Sequence, residues 1–355
     1  MQSSATYREI MQQPAIWRAW EAEFGPQLAE LQAWIGAQNP DEIWLCGAGT
    51  SAYIGDLIAA ALPADIRRIR AIATTDLVAC PQNFIVKGLR PLVISFGRSG
   101  NSAESLGTLD LLDRFLPDAP RLNITCNADS ALATRPAKHQ KVITLPAATH
   151  DEGFAMTSSY STMLLTALAL LSDMPRDHFT SLANRAEALL PSFFEAAKTM
   201  PRPTRAVFTG SGPLAMAARE AALKVMELAA GDIPAIWDSN LGFRHGPKSF
   251  VNADTKVFIF LSNHPLTGQF DRDLAAEIRG QFGPQTALSL GSDGDITIPR
   301  TGDDAADAVL YVLFAQALAV TWSHALGLHI DDPFKGRGTL TRVVSGVTLH
   351  TPEAL

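Results

Sequence analysis

One arrangement occurs twice in this chain and restricts its possible folds more than any other feature. A short apolar run, Ile43-Trp44-Leu45-Cys46, ends in Gly47-Ala48-Gly49-Thr50-Ser51; much later Ala206-Val207-Phe208-Thr209 ends in Gly210-Ser211-Gly212-Pro213. Each reads as a buried strand feeding a glycine turn and then an alanine-rich helix. Further apolar runs follow at 91–95, 122–126 and 142–145 in the first half, and at 257–261, 287–290 and up to Ile298 in the second. Counted from the first glycine, these runs end near offsets 48, 78 and 98 (Ser95, Thr125, Leu145 minus 47) and 52, 80 and 88 (Ser262, Leu290, Ile298 minus 210). One βαβ plan is written twice.

Continuous rather than alternating apolar strands, separated by helix-length segments, predict an α/β fold with parallel sheets covered by helices on both faces. The 355 residues suit two domains of moderate size. The expected division is an N-terminal helical segment at 1–24 with its helix over 14–24, domains at 25–203 and 204–330, and a tail at 331–355. The linker expectation rests on Met200-Pro201-Arg202-Pro203-Thr204, which follows a helical stretch over 179–197. Each half closes with a strongly apolar helix, Ser158–Leu171 and 305–326.

Composition narrows the partners. Hydrophobic residues make up 47% and charged residues 18%, the balance of a compact soluble protein. Against 36 acids the 29 Lys and Arg leave a charge of -7 and form no basic run, so nucleic acid is not an expected partner and any phosphate must be held by a local site. Cys46, Cys80 and Cys126 lie in no CxxC pattern and read as free thiols in a reducing compartment. The N-terminal stretch lacks the apolar core of a signal peptide. The apolar run 163–171 is far short of the roughly 20 residues that span a bilayer, so no membrane partner is expected and the cytoplasm is the expected location.

Ligands of open parallel sheets bind where strands end and helices begin. Two such ends in the first half are rich in hydroxyls: Gly49-Thr50-Ser51 and Gly97-Arg98-Ser99-Gly100-Asn101-Ser102. Glycines let the backbone N–H groups of a following helix approach an anion, and Ser and Thr add uncharged donors. Ser99 and Ser102, three apart, are expected on one face of a helix start. Taken singly, such residues are ordinary N-caps. Two loops in one half, with Thr157-Ser158-Ser159 opening a third helix, favour a phosphate cradle over caps alone.

Competing motifs fit less well. Gly47-Ala48-Gly49-Thr50-Ser51-Ala52 satisfies the GxGxxA dinucleotide pattern after a strand. About 20 residues on, however, stand Arg67 and Arg68 rather than the ribose-binding acid, with Asp76 at a later strand end, and the second Ser-rich loop would go unexplained. Gly97-Arg98-Ser99-Gly100 fails the hydrolase pattern GxSxG because its second glycine comes one position early. His150-Asp151-Glu152 is a weak metal candidate, since adjacent side chains diverge; no metal is expected.

The second half supplies ionisable groups. Arg219, Glu220, Lys224 and Glu227 are spaced along the helix after Gly212, with Lys224 and Glu227 on one face. Surface ion pairs are the usual reading. The neighbours, Ala221, Ala222, Leu223, Val225, Met226, Leu228 and Ala229, are nearly all apolar, which predicts a largely buried helix where an acid and an amine shift their pKa values. Gly242-Phe243-Arg244-His245-Gly246-Pro247-Lys248-Ser249 then reads as a shaped loop; a lone loop histidine is more often structural, but His245 with the preceding buried acid is a candidate acid/base pair.

At these residues the chain resembles the tandem sugar isomerase (SIS) domain proteins. The carriers are GAGTS at 47–51, SFGRSGNSAES at 95–105, EAALKVMEL at 220–228 and FRHGPKS at 243–249. Within that superfamily it most resembles the galactosamine-6-phosphate deaminase/isomerase group, also named tagatose-6-phosphate ketose/aldose isomerases. That likeness is carried by ISFGRSGNS at 94–102, ITCN at 124–127, THDEGFAMTSS at 149–159 and GFRHGPKS at 242–249, and it covers nearly the whole chain. It implies two flavodoxin-like three-layer domains, the first carrying phosphate-binding loops and the second the acid/base residues. The chain is also similar to the isomerase half of glucosamine-6-phosphate synthase. That likeness implies that Thr50, Ser51, Ser99 and Ser102 bind phosphate and that Thr157 or Ser158 lies near the sugar. Glu227 would shuttle the proton between C1 and C2, Lys224 would be the nearby amine, and His245 would open the ring, in that family from the partner subunit of a homodimer.

Three departures from the synthase stand out. The sequence has no glutaminase domain and no N-terminal nucleophilic Cys; no Lys lies beyond Lys335; and Gly97 and Arg98 replace a Ser-Gln pair, adding a cation suited to phosphate. The full expected site is Glu227, His245 and Lys224 as catalytic groups, with Gly49, Thr50, Ser51, Arg98, Ser99, Asn101, Ser102, Thr157 and Ser158 around a sugar phosphate. The implied reaction takes an amino-sugar 6-phosphate to a ketose 6-phosphate and ammonia. Simple ketose/aldose isomerisation and glucosamine-6-phosphate deamination are alternatives, and a non-catalytic phosphosugar sensor is the alternative from another class. Proton shuttling needs no cofactor, and none is expected.

Overall fold

The computed structural model describes residues 1–62, 68–175, 177–299, 301–338, 340–341, 347–350 and 352–354. The chain divides into two compact units. The first holds Ala15–Asp151, Ser158–Phe179 and Leu340–Leu355; the second holds Met1–Pro14, Glu152–Thr157 and Thr180–Thr339.

In the first unit the strands are β1 (Ile43–Gly47), β2 (Ile69–Ala73), β3 (Leu92–Gly97), β4 (Arg121–Thr125) and β5 (Gln140–Thr144), all paired in parallel in the order β2-β1-β3-β4-β5. The helices are most of α1 (Ala5–Gln38), then α2 (Thr50–Ala61), α3 (Thr74–Ala79), α4 (Ala103–Phe115), α5 (Ala131–Thr134) and α6 (Ser158–Leu171). Every residue of β1, β3 and β4 is buried, and Trp44, Cys46 and Val93 pack with Leu111, Leu112 and Leu116 of the α4 region.

The N-terminal helix is longer than the 14–24 expected. Pro14 reads as a helix start because its missing N–H is harmless in the first turn, but here it lies inside α1. Burial of Ile10, Trp17, Trp20 and Phe24 outweighs the lost bond, and the indoles of Trp17 and Trp20 donate to Ser161 and Thr166 of α6 at 3.1 and 2.9 Å.

In the second unit the helices are α7 (His178–Thr199), α8 (Pro213–Leu228), α9 (Thr267–Phe282) and α10 (Asp304–Ala325). Its strands β6 (Arg205–Gly210), β7 (Ala235–Ser239), β8 (Thr255–Phe260), β9 (Ala287–Gly291) and β10 (Ile296–Thr297) run in the order β10-β9-β8-β6-β7. Read from β7, this is the first sheet's order again, so among the described residues each unit is a five-stranded parallel sheet of flavodoxin-like topology. Strands β2 and β7 escape an apolar-run search because they are edge strands: β2 is mostly half-buried, β7 wholly so, and both carry polar residues.

Helix α10 is long and apolar enough to cross a membrane, with a mean hydropathy of 1.5, yet its window is wholly buried within the fold. A helix apolar on every side is a core helix when protein surrounds it. Phe314 and Trp322 meet Phe258 at 6.0 and 6.2 Å between ring centres, and the Tyr311 hydroxyl donates to the Leu261 carbonyl at 2.8 Å.

Asp307, in the first turn of α10, is 1% exposed and accepts from Thr301 N–H (3.1 Å), the Thr301 hydroxyl (2.7 Å) and Asn263 (2.9 Å). Burial, with Asp304 nearby, pushes its carboxyl from the ordinary 3.8 up to about 6. The folded state therefore holds a proton that the unfolded chain releases between these values. The stability this confers is complete below about pH 4, is lost as pH rises to about 6, and changes no further above that. Across that window wild type should lose up to about 3 kcal/mol more than D307N. Urea midpoints at pH 4 and pH 7 check this; equal slopes for the two proteins would refute it.

Candidate active site

The order β2-β1-β3-β4-β5 sends the chain to opposite sides after β1 and β3, which opens a crevice at their C-terminal ends. Both hydroxyl-rich loops stand there. In the first, a Cβ on Gly47 would lie 2.5 Å from the Ser51 backbone, and Gly49 sits at φ 54°. Glycine is required at both positions for the strand to turn straight into α2. Thr50 and Ser51, buried at 4% and 5% exposure, become the first residues of that helix, under a cap residue that brings no side-chain oxygen.

The second loop follows β3. Gly100, at φ 62°, comes so close to Ser130 that an added Cβ would fall 2.4 Å from its hydroxyl. Asn101 accepts from Ala131 N–H at 2.8 Å, and Asn127 donates to the Ser99 carbonyl at 3.1 Å, so this loop is knitted to the one after β4. Ser102 is the N-cap of α4: its hydroxyl accepts from Ser105 N–H at 3.2 Å and shares a 2.9 Å bond with the Ser105 hydroxyl. The expectation that Ser99 and Ser102 share a helical face is corrected. Ser99 lies on the turn ahead of the helix, because the Gly100 turn delays the helix start to Ala103.

Ser158 opens α6 as expected, and Thr157 before it is fully buried. Asp151 governs this start. Its oxygens accept the N–H groups of Ser158 and Ser159, each at 3.0 Å, and both their hydroxyls. Its carboxylate is therefore a helix cap, while Glu152 N–H donates to Glu9. Among the described residues no three or more His, Cys, Asp or Glu gather as metal ligands would. Of the residues weighed for a dinucleotide, Arg67 lies outside the described residues, Arg68 sits 3.8 Å from Glu42, and Asp76 is on α3.

In the second unit α8 is buried along most of its length. Spacings of four and three place Glu220, Lys224 and Glu227 on one face. The Lys224 amine is 3.2 Å from Glu220 and 2.6 Å from Glu227. Glu220 and Lys224 are fully buried, while the Glu227 side chain is 24% exposed and is the member of the set that reaches accessible space. Burial alone would pull the Lys224 amine down; the flanking Glu220 and Glu227 carboxylates outweigh it and hold the amine above the ordinary lysine range. Arg219 stacks over the Trp237 ring at 5.3 Å.

His245 stands exposed on the loop after β7. Phe243 anchors that loop in the core, and Arg244 and Lys248 bind Glu277 of α9 at 2.6 and 2.5 Å. Hydrogen bonds from Lys248 and Arg244 hold the Glu277 carboxyl below its usual range. Two of the loop's three basic residues are thus ties that hold the loop carrying the third. Sequence reading missed Glu277 because it lies 29 and 33 residues from its partners and belongs to no local pattern.

No family model matches the chain. The D-galactosamine-6-phosphate deaminase AgaS of Escherichia coli O157:H7 is 40% identical over 98% of this chain and 96% of that protein. Its namesake from Shewanella sp. strain ANA-3 is 36% identical over 97% and 91%. The crystal structure of tagatose-6-phosphate ketose/aldose isomerase from Escherichia coli matches with a TM-score of 0.89 at 35% identity, over 98% of this chain and 97% of that one. With two flavodoxin-like units and full-length identity at this level, the chain belongs to the D-galactosamine-6-phosphate deaminase AgaS family of tandem SIS proteins.

Proposed function

We propose that this chain converts an amino-sugar 6-phosphate to a ketose 6-phosphate and ammonia by moving a proton from C2 to C1. The observation that carries the reading is the Glu220-Lys224-Glu227 set: a buried amine bonded to a carboxylate that alone in the set reaches accessible space. Family membership supplies the substrate class, since the relatives are named for galactosamine 6-phosphate.

In the proposed division of labour, the segment 25–203 holds the phosphate through Thr50, Ser51, Arg98, Ser99 and Ser102, with Gly49 and Asn101 shaping the loops. Thr157 and Ser158 flank the sugar. The segment 204–330 does the proton chemistry; residues 1–24 and 331–355 lie outside this division. His245 opens the ring by proton transfer. Glu227 takes the C2 proton from the open aldehyde, leaving an enolate whose C2 carries the amine, and returns a proton to C1. The resulting C2 imine adds water and expels ammonia, so one water is consumed per ammonia released. Lys224, too buried to reach solvent, holds Glu227 in place. Phosphate binding remote from the reacting carbons orients them. The proposed setting is the cytoplasm, to which three unpaired cysteines are suited, and the proposed assembly is a homodimer with the site at or near the subunit interface.

An ammonia-coupled assay over galactosamine, glucosamine, tagatose and fructose 6-phosphates tests the reading. Ammonia from a hexosamine 6-phosphate is the expected result. Aldose–ketose interconversion without ammonia would replace deamination by simple isomerisation, and binding without turnover would make the protein a sensor.

A further inference from the structure

The second sheet repeats the first sheet's crevice as well as its topology. Gly49 and Gly212 share one backbone conformation, φ 54° and ψ −129° against φ 56° and ψ −129°. A Cβ on Gly47 or Gly210 would meet the backbone four residues on at the same 2.5 Å. Ser51 N–H donates to Ala48, and Leu214 N–H donates to Ser211, each at 3.1 Å. Strand pairing sets Cys46 opposite Ser95 and Thr209 opposite Ile259, so Ser262-Asn263 in the second unit takes the place of Arg98-Ser99 in the first.

The chemistry of the two crevices is opposite. Pro213 and Leu214 replace Thr50 and Ser51, so those two hydroxyls are gone and one helix N–H with them. A side chain of α9 enters instead. Asp271, with no exposed surface, accepts from the Ser211 hydroxyl at 2.6 Å, from Asn240 at 2.5 Å and from Ser262 N–H at 2.8 Å. Asp304 takes the Ser262 hydroxyl and, at 2.8 Å, Asn263 N–H. Each of these five donor bonds from the crevice loops ends on one of the chain's own carboxylates. The three partners of Asp271 are all donors, the set that an ionised carboxylate takes. Burial holds this carboxyl above its ordinary range, and the same bonds limit the rise.

We propose that the second crevice is a duplicated anion cradle permanently occupied by the Asp271 carboxylate, so that each chain binds one phosphorylated ligand rather than two. The resident anion satisfies the buried Asn240 amide and Ser262 N–H and the half-buried Ser211 hydroxyl, and it denies the position to a phosphoryl group. Only the count of one rests on the phosphate-binding role proposed for the first unit; the occupancy of the second cradle stands on Asp271 alone.

Two experiments keep these apart. In the first, D271A is compared with wild type in formate, a carboxylate small enough for the vacated space. Formate should raise the melting temperature of D271A by several degrees more than that of wild type. If D271A fails to fold alone, refolding in formate should raise its yield over refolding in chloride. D271N, which fills the space with a neutral group, should respond to formate no more than wild type does. Equal formate responses in D271A and wild type, or no rescue of refolding, would overturn the proposal. In the second, calorimetric titration of wild type with galactosamine 6-phosphate at low temperature should give one site per chain; two equivalent sites would overturn it. No binding at all would instead sink the first unit's assignment, and formate rescue would still stand.

Discussion

Glu227→Gln is expected to lower kcat for ammonia release by about 10²–10⁴-fold while leaving the apparent affinity for the sugar phosphate within about threefold. The reason is geometric. Glutamine keeps the length of the side chain and can still accept from the Lys224 amine, 2.6 Å away in the wild type. What it loses is the ability to take a proton from C2. The phosphate contacts assigned to Thr50, Ser51, Arg98, Ser99 and Ser102 are untouched by the change. Steady-state assays measure the kcat and KM effects, and exchange of the C2 hydrogen into heavy water should vanish with turnover. A variant with wild-type turnover would remove Glu227 from the proton shuttle.

Lys224→Met is expected to cost about 3–5 kcal/mol of stability, because removing one member of a buried charge set strands its partners. Glu220, also fully buried and 3.2 Å from the amine, bears most of that cost. Its carboxyl, deprived of the amine, should bind a proton more tightly in the folded state than in the unfolded chain. The K224M deficit should therefore be smallest at low pH, where that carboxyl is protonated, and grow as pH rises. Pairing the change with Glu220→Gln should restore much of the loss. Urea midpoints of the single and double variants at pH 5 and pH 8 test this. A loss below about 1 kcal/mol would mean that the set behaves as an exposed ion pair.

Lys224 shows where reading one residue at a time stops. Spacing and apolar neighbours along α8 placed acid and amine together on a buried face, and the structure adds which of them reaches accessible space: Glu227 does and Lys224 does not. On the proposed reading, that difference makes Lys224 the group that positions Glu227. Ser102 is a similar case. Its hydroxyl type suits a cap and an anion donor alike, and the turn at Gly100 places it at the cap of α4 while leaving Ser99 outside the helix.

By itself the sequence determined the duplicated α/β plan, because continuous apolar strands and the glycines at 47, 49, 210 and 212 leave few other ways to bury the chain. It also placed the hydroxyl-rich loops and the Lys224-Glu227 pair, because short-range spacing sets these. Only the tertiary structure decided what three carboxylates hold: Glu277 ties down the His245 loop, Asp151 takes the start of α6, and Asp271 fills the second crevice. No spacing rule pairs any of these carboxylates with the donors it holds. A charge acts over a few ångströms of space rather than over any fixed number of residues, so its meaning exists only once the chain has folded around it.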